Sequence, residues 1–207
     1  MQVLILRHGK TDMNLRGRYQ GRTDVPLCPE GEADLVRMGA CPNVQKVYVS
    51  PMRRAVRTAE LCFPNAVQTL VPDFREMDFG SFEGKNYEEM ADDPAYRKWV
   101  DGMCRGKCPG GESMGEFTDR VCAAFDAVIE KAMTFGEEQI VIAAHGGTVM
   151  ALLSRYGRPE RDYYDWYAPN GGGYVMKLNA AAWAGEKALT DIVPFKALSE
   201  LSGKEYR

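Results

Sequence analysis

The sequence predicts an α/β protein built on a mostly parallel sheet of about six strands, and three observations carry that prediction. Nearly continuous apolar runs occur at Gln2 to Leu6, Val44 to Val49 and Ile140 to Ala144, as expected of strands buried on both faces. The second and third runs are each followed by a segment with helical spacing, which implies βαβ units. Three further strand-like runs, Val67 to Val71, Tyr174 to Leu178 and Leu189 to Val193, bring the number to about six.

Taken in order, the first run ends in Arg7-His8-Gly9. After the second, Ser50 is read as an N-cap with Pro51 at the first helical position. Ala55, Ala59 and Cys62 then mark the apolar face of a helix reaching about Phe63. The Gly-rich stretch Asp101 to Glu112 reads as a mobile loop and not a domain boundary. Ser113 with Glu116 forms a capping box that opens the longest helix. Phe117, Val121, Phe125, Val128 and Ala132 follow at helical spacing, and the helix should end near Gly136. The third apolar run ends in His145-Gly146-Gly147. With 207 residues, 45% hydrophobic, one domain over residues 1–207 is expected.

Composition excludes several functions. A net charge of -3 is a poor match for nonspecific nucleic-acid binding, which needs a strongly positive face. No run approaches the roughly 20 apolar residues of a membrane helix, and Met1 leads directly into a strand without a signal-peptide pattern. A cytoplasmic protein is therefore expected, with no membrane or nucleic-acid partner, as a monomer or homodimer. The six cysteines are dispersed, so reduced thiols are expected and no metal site.

The chain has only two histidines, His8 and His145, and each stands just past a predicted buried strand with glycine after it. Ligands of open α/β sheets bind beyond the carboxyl ends of the strands, so two parallel strands ending this way would aim both imidazoles into one crevice. The glycines leave room for a ligand near the backbone, and a helix opening at Gly146 would present free N–H groups to an anion. No GxGxxG follows the first strand, which weakens a dinucleotide-binding reading.

Around these residues the chain resembles the histidine phosphatase superfamily, which includes cofactor-dependent phosphoglycerate mutases and α-ribazole phosphatases. Arg7-His8-Gly9-Lys10-Thr11 with Asn14 is similar to the family's RHG(E/Q)TxxN opening, and Tyr19-Gln20-Gly21 with Asp24, Pro26 and Leu27 to the segment that follows. Ser50 to Ala59 (SPMRRAVRTA), Phe74 to Gly84 (FREMDFGSFEG) and Val141 to Gly147 (VIAAHGG) resemble three further family segments. Lys10, Met13 and Cys28 depart from the common Glu or Gln, Trp, and Ser or Thr.

The resemblance implies a three-layer α/β/α sandwich, mostly parallel with one antiparallel edge strand. It also implies phosphomonoester hydrolysis through a covalent phosphohistidine on His8, without a metal or other cofactor. Arg7 and Arg54 would bind phosphate oxygens as planar forks, Glu76 would act as acid and then base, and His145 would donate as a protonated imidazole. Asn14, Gln20 and the amides of Gly21 and Gly146 would add substrate contacts. A small phosphorylated metabolite is the expected substrate, α-ribazole-5′-phosphate among the candidates. Compact loops and Phe79, where mutases usually carry Tyr, favour a phosphatase. The alternatives are a phosphoglycerate mutase and a non-catalytic module that binds phospho-ligands or phosphoproteins. The Trp99 to Gly111 loop, where Arg105 and Lys107 could meet a second anionic group, and Tyr163, Tyr164, Trp166 and Tyr167 are candidates for substrate choice, although solvated charges and aromatics in the core or a subunit contact are the favoured readings.

Overall fold

The computed structural model describes residues 1–201. In chain order the elements are β1 (Gln2–Arg7), α1 (Asp12–Leu15), α2 (Pro29–Met38), β2 (Lys46–Val49), α3 (Arg53–Cys62), β3 (Val67–Leu70), α4 (Pro94–Asp101), α5 (Met114–Thr134), β4 (Gln139–Ala144), α6 (Gly146–Tyr156), β5 (Gly173–Leu178) and β6 (Leu189–Phe195). Short 3-10 turns fill several of the connections, among them Tyr163–Trp166.

The six strands form one sheet in the order β3-β2-β4-β1-β5-β6. β1 to β4 are mutually parallel, and the antiparallel pairings, β1 with β5 and β5 with β6, gather at one side of the sheet. Side chains alternate across the strands and so build two cores. Val3, Ile5, Ile140 and Ile142 face a layer containing Phe117, Val121 and Phe125 of α5 and Leu152 of α6. Leu4, Leu6, Val47 and Val141 face Leu35 of α2 and Ala55 and Ala59 of α3. The α/β/α sandwich is thus observed, and no helix among the described residues is long and apolar enough to cross a membrane.

Local signals account for most boundaries. The Ser113–Glu116 capping box is present and opens the 21-residue α5. Cys28 caps α2 by accepting from the Gly31 amide at 3.3 Å. The start of α3 needs correction: its N-cap is Met52, without a side-chain bond, and Asp24 Oδ1 instead accepts from the Arg53 amide at 2.8 Å. Ser50 is occupied elsewhere, as described below. Val44 is buried but precedes the β2 ladder, in a turn where its amide donates to Cys41.

One close approach is decisive for the sheet. Gly173 opens β5 opposite Leu6, and a Cβ there would lie 1.9 Å from the Ile5 carbonyl oxygen. The backbone must move to admit it, so Gly173→Ala is expected to destabilise the fold by about 3 kcal/mol. The check is a lower urea midpoint at unchanged m-value.

Candidate active site

The pairing of β1 with β4 sets Arg7 opposite Ala144, so the next residues, His8 and His145, emerge side by side. Their ring centroids are 5.2 Å apart at an interplanar angle of 67°. The His8 amide donates to the Ala144 carbonyl at 2.9 Å, which extends the ladder to the site itself. β2 ends beside them: Ser50 N donates to Ala143 O at 3.0 Å, and Ser50 Oγ meets His145 Nε2 at 2.7 Å.

These contacts define the two imidazoles. His8 Nδ1 lies 2.7 Å from the Gly9 carbonyl, an acceptor, so Nδ1 carries the proton and Nε2 holds the lone pair. Burial, with Arg54 and Arg7 nearby, holds the His8 pKa well below 6.5. His145 is likewise held well below 6.5 by burial and by Arg54, so both rings are neutral as they stand. The expectation of a protonated His145 therefore requires an anion beside it. Ser50 occupies Nε2 of His145, while Nδ1 is buried and has no hydrogen-bond partner.

Arg54 is fully buried. Its Nη1 and Nη2 donate to the carbonyls of Thr23 and Gly21 at 3.0 and 2.9 Å. Arg7 donates through Nη1 to Ala168 O at 2.7 Å and lies over the Tyr167 ring. No carboxylate of the described residues forms a salt bridge with either arginine. The Nε atoms of both, like Gln20 Nε2 and His145 Nδ1, are buried without a partner. Leaving a buried cation unpaired costs several kcal/mol, so this cluster of donors suits an anion rich in oxygen acceptors.

Glu76 lines the adjoining cavity. Its Oε2 accepts from the Gly147 amide and its Oε1 from the Met77 amide, both at 2.9 Å. Burial raises its pKa above 4.5 despite these bonds and the pull of Arg54 and Arg7. Arg120 steadies this segment: it donates to the Asp73, Arg75 and Glu76 carbonyls and forms a two-pronged pair with Glu112, whose Oε2 accepts from Asp78 N.

The remaining expected contacts divide. Gly146 is the first residue of α6 and lines the cavity. Gln20 is buried, its Oε1 accepting from Thr11 Oγ1 at 2.7 Å. Asn14 Oδ1 belongs to the α1 capping box, accepting from Thr11. The assignment of the Gly21 amide to phosphate is corrected: it donates to Glu83 Oε1 at 3.0 Å. The reason is that Glu83 also accepts from Arg22 N, Thr23 N, Thr23 Oγ1 and Phe79 N. A carboxylate satisfied by so many donors fixes the loop whose carbonyls hold Arg54. Sequence reasoning missed Glu83 and Ser50 as builders of the site; their places within the matched segments were the available signal. Thr58 is a third, its Oγ1 accepting from the Gly9 amide at 3.0 Å.

The cavity has a volume of about 280 Å³. Beside Arg7, Glu76, Gly146 and Gly147 it is lined by Tyr19, Met77, Phe79, Trp99, Cys104, Met114, Met150, Tyr163, Tyr164 and Tyr167. Trp166, by contrast, lies in the core. Arg105 and Lys107 do not line the cavity; both are exposed, and Lys107 pairs with Glu116 at 2.7 Å. They are solvated charges, the favoured reading of the two, and do not meet a second anionic group. No cluster of three or more His, Cys, Asp or Glu suited to a metal ion occurs among the described residues.

Comparison with known proteins matches residues 3–188 to the histidine phosphatase superfamily (branch 1). A protein of Salmonella typhi named a probable phosphoglycerate mutase is 32% identical over 161 residues, 74% of either chain. An uncharacterized phosphatase of Bacillus subtilis is 32% identical over 165 residues, 76% of this chain and 79% of its own. A solved Escherichia coli chain, provisionally named an α-ribazole-5′-P phosphatase, shares the fold with a TM-score of 0.78 at 21% identity, covering 95% and 97% of the two chains.

A Cβ on Gly147 would fall 2.1 Å from Glu76 Oε1, so Gly147→Ala must displace that carboxylate. A misplacement of this size costs on the order of 100-fold in rate. Release of phosphate is expected to fall by about that factor from alkyl esters, whose alkoxides need a proton, and by less from p-nitrophenyl phosphate.

Proposed function

We propose that this chain, which belongs to the histidine phosphatase superfamily, hydrolyses phosphomonoesters of small metabolites through a phosphohistidine on His8. One observation carries the reading: a neutral imidazole with its lone pair on Nε2 stands among buried, partnerless donors of Arg7, Arg54, Gln20 and His145. A phosphoryl group spreads charge over three oxygens in its transition state, and fixed cations in a dry site stabilise that charge.

In the proposed cycle His8 Nε2 attacks phosphorus, and the bond to the ester oxygen breaks as protonated Glu76 gives its proton to the departing alkoxide. The alcohol leaves, and a water attacks the phosphohistidine while the Glu76 carboxylate takes its proton. The phosphorus–nitrogen bond breaks, returning neutral His8 and inorganic phosphate. His145 Nδ1–H and both guanidinium groups hold the oxygens throughout. α-Ribazole-5′-phosphate is one candidate ester.

A mutase reading is favoured by the name of the Salmonella relative. Phosphoglycerate, however, carries a carboxylate on its alcohol half, and Arg7 is the only cation among the residues lining the cavity. That guanidinium is already needed by the phosphoryl group, so hydrolysis of the phosphate ester of an uncharged alcohol fits better.

The test is phosphate release from p-nitrophenyl phosphate with acid-labile enzyme phosphate measured in parallel. His8→Ala should abolish both; full turnover in that variant removes the nucleophile assignment. Isomerisation of 3-phosphoglycerate outpacing its hydrolysis would make the protein a mutase. The pH profile of kcat/KM should lose activity downward as His8 protonates, below 6.5, and upward as Glu76 ionises, above 4.5. Glu76→Gln should remove the alkaline limb and leave the acid one.

A further inference from the structure

The alcohol half of the substrate has its own recognition surface. The cavity beside Glu76 collects Tyr19, Phe79 and Trp99 from one group of rings, with Tyr19–Phe79 centroids at 5.1 Å and Tyr19–Trp99 at 5.7 Å. Tyr163 and Tyr164, centroids 5.2 Å apart, belong to a second group.

Their polar ends are already engaged within the protein. Tyr19 Oη bonds Tyr96 Oη at 3.0 Å, and Trp99 Nε1 donates to Gly106 O at 3.0 Å. Tyr163 Oη donates to Gly147 O at 3.4 Å and Tyr164 Oη to Met103 O at 3.2 Å. What these side chains offer a ligand is ring surface and not hydrogen-bonding capacity. A polyol or an unsubstituted sugar would lose water contacts there without replacement, an anionic alcohol would find only the Arg7 guanidinium that the phosphoryl group uses, and a cationic one would face that same guanidinium. A flat apolar group would gain both burial and ring-to-ring contact. Size fits as well: an apolar cavity of roughly 150 Å³ accepts one benzene, whereas this one measures about 280 Å³.

We infer that the leaving alcohol is uncharged and bears an aromatic group of one or two rings, held between the two sets of aromatic side chains while its phosphate lies on His8. The inference rests on the proposed phosphatase reading but is separable from it.

Aryl esters would confound the test because their alcohols leave easily, so the comparison uses alkyl esters of similar leaving ability. 2-Phenylethyl phosphate should exceed ethyl phosphate in kcat/KM by at least about 10-fold, the yield of burying one such ring, and should exceed 3-phosphoglycerate by more. The non-hydrolysable 2-phenylethylphosphonate should inhibit at least about 10-fold more tightly than ethylphosphonate. Equal values for the two esters and the two phosphonates, or a preference for 3-phosphoglycerate, overturn the inference while phosphate release leaves the phosphatase reading standing. If no ester is hydrolysed, that reading falls, and a thermal-shift ranking of the two phosphonates still decides what the cavity prefers.

Discussion

The site depends on the register of one parallel ladder. Pairing Arg7 with Ala144 brings residues 137 positions apart in the chain to matching strand ends, and the two imidazoles then share one crevice. A slip of one residue would send every side chain of the strand to the opposite face. That slip is opposed along the whole strand, because Val3 and Ile5 belong to one core and Leu4 and Leu6 to the other. Two-sided burial of β1 thus secures the geometry of the crevice as well as the fold.

Electrostatics then separates what builds the site from what it can bind. Glu83, a carboxylate close to Arg54, is saturated by backbone amides and the Thr23 hydroxyl. It organises the loop that grips Arg54 through carbonyl oxygens and does not pair with the guanidinium. Positive charge is thereby kept at the strand ends without internal neutralisation. Burial, together with the same charge, keeps both histidines neutral, a state in which an imidazole can act as a nucleophile.

Much of this was legible from residue order alone. Unbroken apolar runs announce strands covered on both faces, and the capping box at Ser113 and Glu116 marks α5 because its chemistry is local. His8, Arg7, Arg54, Glu76 and His145 lie in motif segments, and the fold gathers them around one crevice. Failures came where a side chain serves a distant partner. Ser50 has the composition of a cap but spends its hydroxyl on His145, 95 residues away, and the Gly21 amide turns to Glu83, 62 residues away. The aromatic cavity was legible only in pieces, since it joins the loop and tyrosine candidates of residues 99, 163, 164 and 167 to Tyr19 and Phe79, which no local pattern connects to them. The charges of Arg105 and Lys107 were conspicuous in the sequence yet stand outside it.

The two halves of the crevice are built from different materials. The two histidines, Arg7 and Arg54 hang from strand ends and the first turn of a helix, which the sheet holds in place. Beside residues of α5 and α6, the cavity wall draws on the end of α4, the turn that follows it, and the 3-10 turn at Tyr163–Trp166. Connecting segments of that kind accept replacement far more readily than a ladder does. A scaffold divided in this way leaves the wall free to vary around fixed strand ends, and relatives a third identical to this chain carry unlike names.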